Sequence, residues 1–166
     1  MTGQSIYLTQ PFSYAGALTR PNHSTVEPVV MDASNPFSGD GLPGKKVNGK
    51  FIPLVAGDTV AVLYGIRVRS YPFTSDKDIA RQLTNPANYT GDALVRGYIG
   101  VKVNAGTVAD NGPVYIRVGG GTATQPVGGF EAEVDATTAA NTLLVENAHF
   151  IGTTDANGIA ELAFNI

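Results

Sequence analysis

The last seventy residues of this chain repeat a two-residue alternation in short runs, and that period leaves little room for helix. Ile99, Val101 and Val103 alternate with Tyr98, Gly100 and Lys102. Val114, Ile116 and Val118 alternate with Tyr115 and Arg117. Phe130, Ala132 and Val134 stand opposite Glu131 and Glu133. In the closing run Ala160, Leu162, Phe164 and Ile166 fall on one face, read as the buried one, with the strand running to the last residue. A period of two sends successive side chains to opposite faces of a strand. Asn111-Gly112 and Asn157-Gly158 are turn dipeptides, because both residue types accept positive φ. His149, Phe150 and Ile151 begin another short strand. The pattern predicts an all-β fold, a small β-barrel or jelly-roll-like sandwich, and leaves strand order open.

Upstream the signals differ. Residues 58–73 read as the strongest strand, with Val60, Val62, Tyr64, Ile66 and Val68 on one face. Arg67 and Arg69 open its other face to water or to a partner, and Tyr71-Pro72 ends it. Residues 74–96 hold the one short helix the sequence suggests, around residues 79–83, stopped by Asn85-Pro86. Residues 1–50 carry Pro11, Pro21, Pro28, Pro36 and Pro43. Proline removes ladder donors, so this stretch reads as an extended arm with one short strand near residues 27–31. The aromatic residues of the arm need a surface to pack on, its own domain in preference to a neighbouring subunit. The domain reading is 1–57 as an extended Pro/Gly-rich N-terminal arm with loops, and 58–166 as the β domain.

Composition narrows the function. Charged residues are 15% of the chain, against a usual share of about 25%. Such a surface is often covered by partners or by copies of itself. Eleven basic residues against 14 acidic give a net charge of −3, which argues against nucleic acid as a partner. No apolar run is long enough to span a membrane, and the N-terminus lacks a signal-peptide pattern. With no cysteine there is neither a disulfide nor a thiolate metal site.

The chemical motifs are weak. Residues 44–51, Gly-Lys-Lys-Val-Asn-Gly-Lys-Phe, approach a phosphate-binding loop but place Phe51 where a hydroxyl is needed, with Pro53 close behind. His23 and His149 lack the further ligands a zinc site requires. Asp155-Ala156-Asn157-Gly158 resembles the start of a calcium loop but is explained by a tight turn. Glu131 and Glu133 read as a solvated strand edge, not a glycosidase pair. No catalytic residue, cofactor or metal is expected. The residues best placed for contact with a partner are the arm aromatics Phe12, Tyr14 and Phe37, the basic loop Lys45, Lys46 and Lys50, and the strand arginines Arg67 and Arg69.

Residues 59–72, an apolar strand running into Arg69-Ser70-Tyr71-Pro72, carry a family likeness. So do residues 96–103, 112–118, 128–132 and 155–166. Together they resemble the structural cement, or head decoration, proteins of tailed bacteriophages, over roughly residues 10–166. The resemblance implies a non-enzymatic virion protein on the capsid exterior, synthesised in the host cytoplasm. It implies the major capsid protein as partner and a homo-oligomer, with trimer favoured and dimer possible. The alternative reading is a tail or baseplate β-module that binds host glycan or another virion protein.

Overall fold

The computed structural model describes residues 13–69 and 90–166. Among them are the strands β1 (Thr25–Met31), β2 (Pro43–Val47), β3 (Lys50–Pro53), β4 (Gly65–Arg67), β5 (Thr90–Lys102), β6 (Pro113–Arg117), β7 (Phe130–Glu131), β8 (Thr142–Ile151) and β9 (Ile159–Phe164). Three single 3₁₀ turns, at Pro21–His23, Val60–Val62 and Ala139–Asn141, are the helical content of the described residues. No helix there is long and apolar enough to cross a membrane. The short helix expected near 79–83 lies outside the described residues, as do Phe12 and Tyr71-Pro72.

The all-β expectation holds, with barrel-like closure. The strands follow the order β1-β3-β2-β4-β5-β9-β8-β6-β7, and β1 also pairs with β5. That second pairing returns the first five strands to their start, giving a ring of β1, β3, β2, β4 and β5. The remaining strands bend back as well. A parallel bridge joins Val103 to Phe130, the Asn104 amide donates to the Phe130 carbonyl at 2.9 Å, and the Ala132 amide to Ala105 at 2.8 Å. Residues just past β5 thereby reach β7.

β5 threads both parts. Its first half lies between β1 and β4, and Leu94 is partner to both Val26 and Ile66. Its second half pairs with β9, from Gly97 opposite Phe164 to Lys102 opposite Ile159. The changeover falls at Gly97, whose φ of +134° is open to glycine alone, and whose missing Cβ would lie 2.4 Å from Ser24 Oγ.

Each part has its own core. Val29, Met31, Phe37, Phe51 and Ala93 fill the first, with the Phe37 and Phe51 rings 4.9 Å apart. The larger core joins Ile66 and Leu94 to Ile99, Val101, Val114, Ile116, Phe130, Val145, Phe150 and Leu162.

Five expectations change. Residues 25–53 hold three strands, not one. Pro43 opens β2 and Pro53 closes β3, ends where a missing N–H disrupts the ladder least. Of the strand foreseen at 58–73, the described residues, which end at 69, form strand over Gly65–Arg67. Before it, Val60 and Leu63 pack on the core from a 3₁₀ turn, whose three-residue repeat puts both on one side. β5 starts at Thr90, in a stretch read as interruption, and β8 starts at Thr142, well before His149. In β9 both faces are buried, and Ile166 lies beyond the strand, 52% exposed.

Candidate contact surface

The arm from Ser13 to Arg20 lies on the free edge of β5. The Gly16 amide donates to the Gly100 carbonyl at 2.8 Å, the Gly100 amide to Ala17 at 2.9 Å, and the Thr19 amide to Tyr98 at 3.2 Å. Leu18 and Ile99 form an antiparallel bridge. The segment is held from the other side too, since the Arg69 amide donates to the Gly16 carbonyl at 2.7 Å. A Cβ on Gly16 would fall 2.7 Å from the Asp40 Cβ, so glycine alone lets these three segments meet.

Arg20 ends the arm with an anchor. Its Nε and Nη2 donate to the two Glu161 carboxylate oxygens, each at 3.0 Å, and its guanidinium lies 4.3 Å from the Tyr98 ring centroid. The Thr19 hydroxyl donates to the same carboxylate at 2.6 Å. Glu161 sits within the buried strand β9, so these donors supply the partners that its burial demands.

The residues singled out for contact divide by exposure. Phe37 is 5% exposed and belongs to the first core. Arg67 is 7% exposed; its Nε lies 3.0 Å from Asp40 Oδ1 and its guanidinium 5.5 Å from the Phe37 centroid. The face it was expected to open to water is closed by residues 37–41. Burial pushes the Asp40 carboxyl up, against the pull of Arg67 and Arg69. Tyr14 is 60% exposed and carries the Arg69 guanidinium 4.9 Å from its ring centroid. These two form an outward-facing stack beside the arm.

The basic loop is the β2–β3 hairpin, with Val47 paired to Lys50 across the two-residue turn Asn48-Gly49. Its context is strand–turn–strand, which offers phosphate no helix N-terminus. Each lysine already has an acidic neighbour. Lys45 reaches Asp58 at 2.7 Å, Lys50 reaches Asp32 at 3.1 Å, and Lys46 lies 3.7 Å from Glu27. The Tyr64 hydroxyl joins Lys46 to Glu27, and its hydrogen bond is the main reason the Lys46 ammonium is held above its ordinary range. Asp32 is held below the ordinary carboxylate range by Asn35 first and Lys50 second. Lys46 and Lys50 remain solvent-facing, whereas the Lys45 side chain is largely covered.

Glu131 is a correction. It is 1% exposed, not part of a solvated edge, and accepts from Arg117 Nε at 2.6 Å and Nη2 at 3.1 Å. Arg117 Nη1 also donates to Asp135 at 2.7 Å. Asp135 in turn caps the following turn by accepting from the Thr137 and Thr138 amides, at 2.8 and 3.0 Å. These amides and Arg117 hold its carboxyl well below the usual carboxylate range. Glu133 points to solvent, so the two glutamates have no shared role. The sequence reading gave Arg20, Arg117 and Glu161 no role. The available signal was a charge inside an otherwise apolar strand, as in Val114-Tyr115-Ile116-Arg117-Val118 and Ile159-Ala160-Glu161-Leu162.

Asp155 makes the tight turn expected of it, accepting from the Asn157 and Ile159 amides at 2.8 and 2.9 Å. Among the described residues no group of His, Asp and Glu stands close enough to hold a metal ion. A polar cleft of about 290 Å³ is lined by Asn22, His23, Ser24, Thr25, Arg96, Tyr98 and Ile166. It brings His23 near Arg96 but includes no acidic side chain to orient the imidazole as a base.

The fold and this surface define a small β structural module whose buried charges serve packing. The family model for structural cement proteins (E217 gp24/Pam3 gp6) matches residues 2–165, and the chain belongs to this phage cement protein family. Among solved structures it is similar to a chain from the capsid of Myoviridae phage XM1. The TM-score is 0.70 at 19% identity, covering 99% of this chain and 98% of the other. No curated protein matches the chain.

Proposed function

We propose that this protein decorates the outside of a bacteriophage head and cements neighbouring major capsid subunits, stabilising the expanded shell without catalysis. The family match over residues 2–165 carries the reading. The physical character of the chain supports it. A body with two small cores, few charges and internal partners for its buried ones is suited to rigid docking, where little conformational entropy remains to be lost. Many copies on one shell make weak individual contacts cumulative.

The contact set that fits this role is the exposed part of the residues chosen from sequence: Tyr14 with Arg69, and Lys46 with Lys50. Phe12 belongs with them by its position in the arm. Phe37, Arg67 and Lys45 would support these groups from beneath. The homo-oligomer, with trimer favoured over dimer, and the exterior position on the virion are parts of the same proposal.

Sedimentation of purified protein with expanded and unexpanded heads of the phage tests it. Saturable binding to expanded heads alone, with raised resistance of those heads to heat, is the expected result. Equal binding to both forms, or none to either, overturns it. Light scattering on free protein then reads the oligomer, with three times 17.3 kDa expected.

A further inference from the structure

The chain holds three Asn-Gly dipeptides, at Asn48-Gly49, Asn111-Gly112 and Asn157-Gly158. In such a pair the glycine nitrogen can attack the asparagine side-chain carbonyl. The reaction needs that nitrogen free of its hydrogen bond, and room to rotate the Asn main chain until the two atoms meet.

The three sites differ on both requirements. The Gly112 amide donates to the Ala109 carbonyl at 2.9 Å, and a Cβ there would lie 2.8 Å from the same oxygen. Asn111 is itself tied to β8, its amide donating to the Phe150 carbonyl at 2.9 Å. The Gly158 amide donates to the Asp155 carbonyl at 3.0 Å, and the Asp155 carboxylate clamps the Asn157 and Ile159 amides on either side. Gly49 is unlike both. No described group accepts from its amide, and an added Cβ would meet nothing within 4 Å. Asn48 and Gly49 are both exposed, with φ of +50° and +78°, as a two-residue turn of the primed type requires.

We propose that Asn48 is the site at which the folded protein deamidates. Hydroxide removes the Gly49 amide proton, and the nitrogen lone pair forms a bond to Asn48 Cγ. The bond from Cγ to Nδ2 breaks, and Nδ2 leaves as ammonia after taking a proton from water. A five-membered imide remains. Water adds to either of its carbonyl carbons and breaks that carbon's bond to nitrogen, giving aspartate or isoaspartate. The net change is one amide and one water converted to one carboxylate and one ammonium, with no redox step.

The product matters because of its place. A new negative charge appears on the exposed turn between Lys46 and Lys50 in the chain. The isoaspartate form also adds a carbon to the main chain of a two-residue turn, which disturbs the Val47–Lys50 pairing.

Peptide mass spectrometry on the full chain, aged at mildly alkaline pH with and without denaturant, tests the assignment. In the folded protein, conversion at Asn48 should outpace that at Asn111 and Asn157 by about tenfold, since the latter two must first open locally. In denaturant the three rates should converge. Asn111 or Asn157 converting as fast as Asn48 in the folded protein overturns the proposal. So does an Asn48 that stays intact in the folded protein while the denatured chain converts.

Discussion

Arg117 shows what a single residue does in this fold. It lies in a strand between the apolar Ile116 and Val118, yet it holds Glu131 with two nitrogens and Asp135 with a third contact. Replacing it with methionine would leave Glu131 buried and unpaired. Loss of one partner from a buried pair costs about 3–5 kcal/mol, so Arg117→Met should lower unfolding stability by roughly 3 kcal/mol in urea. Lysine should recover part of this, because it restores the charge but not the two-pronged geometry. A loss under about 1 kcal/mol would mean that Glu131 finds water or another donor.

Asp135 predicts a pH dependence with a definite sign. Its carboxyl is depressed in the folded state, so between the folded and unfolded values the unfolded chain binds more protons. Its contribution is present above the ordinary carboxylate pKa of about 3.9 and is lost as pH falls from there through the folded value. Asp32 acts in the same direction. Asp40 acts in the opposite one: its raised carboxyl favours the folded state below the ordinary pKa and loses that effect as pH rises through the folded value. Asp135→Asn should therefore flatten the acid limb of the stability curve, measured by thermal melts between neutral pH and pH about 2. An unchanged acid limb would assign acid sensitivity to other carboxylates.

At the scale of elements, the arm depends on a short ladder and one anchor. Four backbone hydrogen bonds hold residues 16–19, and Arg20 fixes their end to β9 through Glu161. Arg20→Ala should leave the two cores intact while loosening the arm. Hydrogen exchange at Ala17 and Thr19 should accelerate about tenfold or more, with little change at Val114 or Phe150. Uniform acceleration would instead place Glu161 among the determinants of global stability.

This scale also separates what could be read in the sequence from what could not. Strand β6 follows from local pattern alone, because one register buries its apolar residues, and the Asn-Gly turns follow from the tolerance of both residues for positive φ; β9 was legible as a strand but not as one buried on both faces. Strand β1 was foreseen near residues 27–31, whereas β2 and β3 were hidden by proline, whose penalty depends on where in a strand it falls. Pro43 and Pro53 sit at strand ends, a fact that emerges only with the pairing partners known. The run from Val60 to Val68 suits a strand and a 3₁₀ turn alike, since Val60, Val62, Tyr64, Ile66 and Val68 keep the two-residue step while Val60 and Leu63 keep the three-residue one. Among the contact residues, Tyr14 and Lys50 are exposed, while Phe37 and Arg67 are drawn inside by each other and by Asp40. Nothing local announces that pairing.

For the whole molecule, the two cores share β5 and should unfold together. Phe51 and Phe150 are both fully buried, one in each core. Phe51→Ala and Phe150→Ala should each cost about 3–5 kcal/mol and lower one common transition. Calorimetry checks this. Two separated transitions in the Phe51→Ala variant would show that the first ring opens alone, and would make it the part free to adjust on a partner.

The shared strand also sets an order of events at the ribosome. β1 has been made long before its partner β5, which begins at Thr90, and β5 must wait for β9 at Ile159–Phe164. Neither ring can close from its own early segments. β1 therefore emerges without its β5 partner until Thr90 onward has been made, and the β5–β9 pairing comes later still. Such distant pairings close slowly, and a low-charge chain with exposed strand edges meets its copies during that wait. Folding yield should fall as expression rises, before native stability changes at all.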